Sequence, residues 1–92
     1  MRIHNTFREK AIDVLEAQLK DNNPPEAKAT LERMVDMGFE DHEAKALMVK
    51  CLIIELLDAL NNNNFFNEKR YIKNLNKLPE NPEDINQNKN EI

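Results

Sequence analysis

Apolar residues recur along this chain at the three- and four-residue spacing of a helical face, and clusters of turn formers separate the runs. Phe7, Ala11, Val14, Leu15 and Leu19 keep that period and predict a first helix from about Ile3 or Thr6 to Leu19 or Lys20. Thr6-Phe7-Arg8-Glu9 has the spacing of a capping box, whose hydroxyl and carboxylate satisfy free amides reciprocally, and it favours the later start. "DNNPPE" follows. Pro24 and Pro25 cannot continue that helix but fit the first turn of another, with Asn23 as its cap. The second helix is therefore expected from about Pro24 to Met37, with Ala27, Leu31, Met34 and Val35 turned inward. Gly38 stands where a left-handed residue closes a helix.

Asp41 is placed to cap a third helix, and Phe39 just upstream can pack back on its first turns. This helix should run to Leu60, about 20 residues and roughly 30 Å. Ala44, Leu47, Met48 and Cys51 share one face, whereas Ile53, Leu56, Leu57 and Leu60 lie mostly opposite. A helix apolar on shifting sides is central or lies at an interface. Asn61 to Asn64 end it, and Asn67 can cap a last helix reaching Leu78, with Tyr71, Ile72, Leu75 and Leu78 as one stripe and Pro79 as the stop. The expected architecture is all-α, a small bundle of four helices over residues 1–78. A polar tail over 79–92 has too little to bury and is expected to be disordered. No period of 20 to 50 residues suggests a solenoid.

Composition changes this picture little: 40% of the 92 residues are hydrophobic and 33% charged, with a single glycine, as in an ordinary soluble helical protein. Charge is more selective. Thirteen basic against seventeen acidic residues leave a net charge of −4, which opposes non-specific attraction to nucleic acid and to anionic membranes. The most apolar run, Val49 to Leu60, is shorter than the roughly 20 residues that span a bilayer and carries Lys50, Glu55 and Asp58. It reads as a core helix. The single cysteine, Cys51, excludes an intramolecular disulfide and a cysteine-based zinc site, and "MRIHNTFREK" has no apolar signal segment. A cytoplasmic setting is the expectation.

Candidate chemistry is sparse. A zinc-protease helix needs two histidines one turn apart, but in His42-Glu43-Ala44-Lys45-Ala46 the second ligand position holds Ala46. His4 and His42 are the only histidines, so a metal site would need carboxylates from other helices, as in di-iron bundles. The candidates are His4, His42, Glu43 and Glu55. His4 and Gln18 project to the side of Phe7, Ala11 and Val14, while Glu55 and Asp58 project near Cys51 and Ala44, so packing of helices one and three would gather them. The simpler expectation is that helix three turns that face to solvent in its second half and leaves both carboxylates wet.

The sequence has no glycine-rich phosphate loop and no serine, which removes the serine-nucleophile classes. Cys51 lies on the most apolar helix with no nearby histidine and reads as a buried structural thiol. Lys69, Arg70, Lys73 and Lys77 make the last helix basic, and Tyr71 could stack on a base, but a solvated outer face accounts for the lysines more simply. Neither catalysis nor a cofactor is expected.

Two resemblances bear on function. Met37-Gly38-Phe39 with Glu43-Ala44 and Ala46-Leu47 resembles the ubiquitin-binding loop of ubiquitin-associated domains over about a dozen residues. Those domains need a short second helix and then a third, whereas here the apolar pattern runs without a turn signal from Ala44 to Leu60; a glycine cap, a staple Phe and a helix start explain the same residues.

From about His4 to Pro79 the chain resembles a family of small bacterial helical proteins of unknown function. His4, Glu16, Gln18, Pro24, Pro25, Glu26, Gly38, His42, Glu43, Ala44, Arg70, Tyr71 and Pro79 carry the likeness, while Arg8 and Ala46 stand where that pattern has further histidines. The resemblance implies a fold and leaves the chemistry open.

The resulting expectation is a protein-interaction module that self-associates, with a homodimer formed through Ile53, Leu56, Leu57 and Leu60. The alternative is a ligand or metal site between helices one and three, built on His4, Glu55 and His42.

Overall fold

The computed structural model describes residues 2–80, with side chains from residue 7 onward. The polar segment 81–92 lies outside the described residues. Four helices, α1 (Arg2–Asp21), α2 (Pro25–Asp36), α3 (Asp41–Asn62) and α4 (Glu68–Lys77), make up the fold, and no strand occurs among the described residues. Central α3 packs against each of the other three, α2 also packs on α1 and α4, and the joining segments are short. The expected four-helix, all-α architecture is therefore present.

Each boundary has a local cause. α1 begins at Arg2, a turn earlier than the Thr6 capping pattern implies. It ends where Asn22 takes φ 54°, a left-handed conformation asparagine tolerates, and the Asn23 amide donates back to the Gln18 carbonyl at 3.0 Å. Asn23 does not cap α2, as the sequence suggested. The Asn23–Pro24 bond is cis, and buried Pro24 holds the N-cap position with no side-chain cap hydrogen bond.

At the other end of α2, Gly38 has φ 110°. Its amide donates to the Val35 carbonyl at 3.0 Å and that of Phe39 to Met34 at 3.1 Å, the paired bonds of a Schellman closure. Phe39 then packs on the core. Glu40, rather than Asp41, caps α3. Asn63, with φ 57°, closes α3, and the Asn67 side chain accepts the Arg70 amide at 3.0 Å to open α4.

The core is built from Ala11 and Leu15 of α1, Ala27 and Met34 of α2, Ala44, Met48, Val49, Cys51 and Leu52 of α3, and Tyr71, Leu75 and Leu78 of the last segment. The inward face of α2 departs from expectation in two places: Val35, expected inside, is 43% exposed, and Thr30, not among the expected core positions, is buried, because that face follows the spacing 27–30–34. Arg33 fixes the far end of α4. Its guanidinium donates to the Leu78 carbonyl at 2.7 Å and to the Leu75 carbonyl at 2.9 Å, the latter also accepting the Leu78 amide at 3.2 Å, so one side chain ties down the C-terminal turn.

Candidate functional site

The main polar constellation lies where α3 meets α4. Glu55 is fully buried and Asp58 is 6% exposed, although both were expected to face solvent. Arg70 explains the reversal. Its Nε donates to Glu55 Oε2 at 2.6 Å and its Nη2 to Glu55 Oε1 at 2.9 Å, a bidentate pair, while Nη2 also reaches Asp58 Oδ2 at 2.9 Å. The other Asp58 oxygen, Oδ1, accepts the side-chain amides of Asn62 at 2.7 Å and Asn64 at 3.2 Å. Those bonds, from Asn62 first and then Asn64 and Arg70, hold the Asp58 carboxyl below the ordinary carboxylate range. Hydrogen bonds from Arg70 to Glu55 likewise raise the guanidinium above its usual value.

An apolar interior borders this network. The Tyr71 hydroxyl donates to Gln18 Oε1 at 2.5 Å, which uses the Gln18 side chain that had been considered for a ligand site. Burial raises the Tyr71 phenol and pushes the Cys51 thiol up to about 12, with the Glu55 charge as the second cause for Cys51. Cys51 is thus the buried thiol expected, in surroundings that suppress its thiolate. Fully buried Tyr71 offers no face on which a base could stack.

On the outside of the same end, polarity is inverted. Leu57 is 41% exposed, Leu60 71% and Phe65 94%. Phe66 is partly held, its ring edge-on to Tyr71 with centroids 5.6 Å apart. Of the four residues expected to form an interface, Ile53 and Leu56 are half-buried and pack against the core, leaving Leu57 and Leu60 as the outward pair. Phe65 was not anticipated. No charge occurs from Ala59 through Asn67, although one residue in three of the chain is charged.

No family model, curated protein or solved structure matches this chain. The site therefore stands on its own geometry.

The residues considered for a metal are not brought together. The His4 side chain lies outside the described residues. His42 is 80% exposed on the first turn of α3, with Nδ1 3.7 Å from Glu40 Oε1. Glu43 serves the helix end, its carboxylate accepting the Glu40 amide at 2.9 Å. Glu55 lies about 20 Å farther along α3 and faces α4 rather than α1. Among the described residues no group of three or more histidine, cysteine, aspartate or glutamate side chains could hold an ion.

Between α1 and α3 the surface instead carries two adjoining grooves of about 400 Å³ and about 270 Å³ that share Arg8 and Ala46. His42 lines the smaller one, so Arg8, His42 and Ala46 border one surface. Lys45 on its rim is neutralised by Glu16 at 3.2 Å and Asp41 at 3.3 Å. No described helix is long and apolar enough to cross a membrane.

Proposed function

We propose that this protein is a small helical interaction module that works by self-association, not catalysis, through the end of α3 and the segment leading to α4. The observation that supports this reading is the exposure of Leu57, Leu60 and Phe65 beside a stretch with no charge. The chain carries a net charge of −4, so two copies repel over most approaches, and the uncharged end is where that repulsion is weakest. The uncharged end lets them meet without opposing like charges. It also lacks the ionic groups that would select a strongly charged partner.

Magnitudes favour a concentration-dependent dimer. A symmetric contact would cover these three side chains from each copy, at about 1.5–3 kcal/mol for each one fully buried, against roughly 4–15 kcal/mol for association. Partial initial burial of Leu57 reduces the gain, so the balance is modest.

Sedimentation equilibrium with native mass spectrometry on untagged protein tests the reading. The wild type should pass from monomer to dimer as concentration rises, whereas Leu60→Glu and Phe65→Asp should remain monomeric with unchanged helicity. A wild type that stays monomeric throughout, or variants that dimerise equally well, would overturn it.

A further inference from the structure

Asp58 is buried about one turn before the end of α3 and does two separable things with its two oxygens. Oδ2 meets Arg70 and so belongs to the α3–α4 junction, while Oδ1 gathers Asn62 and Asn64, two of the four residues between Leu60 and Phe65. At 6% exposure Asp58 cannot itself supply much contact area to another molecule. Any effect it has on association must pass through the groups it holds. The two amides flank the left-handed Asn63, so their common acceptor fixes how the chain turns as it leaves α3.

We propose that Asp58 is a positioning residue for self-association: Oδ1 draws Asn62 and Asn64 together and thereby sets the turn after α3, so that Phe65 joins the helix-borne Leu60 in facing a second copy. This rests on the self-association reading above and adds its control. On an unsupported turn Phe65 would have to be ordered at the moment of binding, with the entropy of ordering charged against affinity. The buried carboxylate does that ordering beforehand. Glu55 meets Arg70 with both of its oxygens, so the two carboxylates carry different tasks.

The test compares Asp58→Asn with Asp58→Ala by sedimentation equilibrium, reading association separately from melting temperature. Both variants lose the charge pairing to Arg70, so both should melt lower than the wild type. Asparagine retains an amide oxygen able to accept from Asn62 and Asn64, whereas alanine retains nothing. Association should therefore weaken at least ten-fold in Asp58→Ala and by only a few-fold in Asp58→Asn. Equal losses in the two variants, or none in Asp58→Ala, would overturn the positioning role.

If Asp58→Ala loses its helicity, Asn64→Ala against Asn61→Ala decides the matter. Both positions are exposed, but only Asn64 is tied to Asp58, so only its replacement should weaken association several-fold. Equal effects would overturn the proposal. A wild type monomeric at every concentration would instead remove the self-association reading and this inference with it, whereas a wild-type dimer indifferent to Asp58 and Asn64 would remove the inference alone.

Discussion

The two halves of α3 handle the same problem in opposite ways. From Ala44 to Leu52 the helix follows the ordinary rule, with Ala44, Met48, Val49, Cys51 and Leu52 buried and Lys50 outside. From Ile53 to Asn62 the rule inverts: Glu55 and Asp58 are buried, while Leu57 and Leu60 are exposed. Neighbouring helices make the difference. The first half meets the apolar faces of the bundle, whereas Glu55 and Asp58 meet the guanidinium of α4. A buried carboxylate is tolerable because Arg70 supplies both charge and directed donors, and no described helix covers the leucines on the other side.

Removing the arginine should expose the contrast most strongly. Arg70→Ala leaves Glu55 buried without its bidentate partner and frees Asp58 from one of its donors. Breaking one partner of a buried pair costs about 3–5 kcal/mol, so urea unfolding should show a loss of that size. A loss below about 1 kcal/mol would mean that solvent reaches the carboxylates. In the apolar half, Met48→Ala removes a fully buried side chain among neighbours that can only partly collapse. It should cost about 2–5 kcal/mol by the same measurement.

The halves should also fail at opposite ends of the pH scale. Asp58 has a depressed value in the folded chain, so it stabilises the fold above the value of an unfolded aspartate and loses that contribution as pH falls through the lower folded value. Weakening of the α3–α4 junction is therefore expected only below about pH 4. Cys51 and Tyr71 are displaced upward by burial, so their contribution is complete below the values of the unfolded groups and is lost as pH rises through the folded ones, near 12 for Cys51. Circular dichroism across pH should show a plateau between these limits. Substitution of Asp58 should alter the acid limb, and Cys51→Ala the alkaline limb. A Cys51 that reacts rapidly with an alkylating reagent at neutral pH in the folded chain would contradict its burial.

Much of this fold could be read from local signals because those signals act locally. Gly38, Asn67 and the four asparagines after Leu60 mark helix ends through conformations or hydrogen bonds formed within a few residues, and each does so in the structure. The thiol at Cys51 was legible for a similar reason, since the run around it is apolar enough to be core. The Glu55–Asp58 junction was not. Projecting a single helix shows which residues share a face but not which helix covers that face, and Arg70 looked like one more member of a basic stripe with Lys69, Lys73 and Lys77.

A signal was nevertheless present. Glu55 and Asp58 stand one turn apart on the most apolar helix, and α4 contains a single arginine among its lysines, the residue type suited to bidentate pairing with a carboxylate. Arg33 escaped notice in the same way, because a side chain that closes another helix leaves no mark in its own neighbourhood.

The smallest expected effect on stability comes from the exposed leucines, and it separates an inverted helix from a merely irregular one. Leu57→Gln changes a side chain that is already 41% exposed and helix-compatible, and Leu60→Gln one that is 71% exposed. For Leu60 the monomer has little apolar burial to lose, so its melting temperature at low concentration should correspond to a change within about 0.5 kcal/mol. Leu57 should cost somewhat more, in proportion to its greater burial. At high concentration the order of effects should reverse in kind: Leu60→Gln should reduce apparent stability more than it does at low concentration, because a dimer that forms only from folded chains adds stability by mass action. If the Leu60 effect is the same at both concentrations, the leucine contributes nothing beyond its own helix, and the inversion of α3 is only the consequence of placing two carboxylates under Arg70.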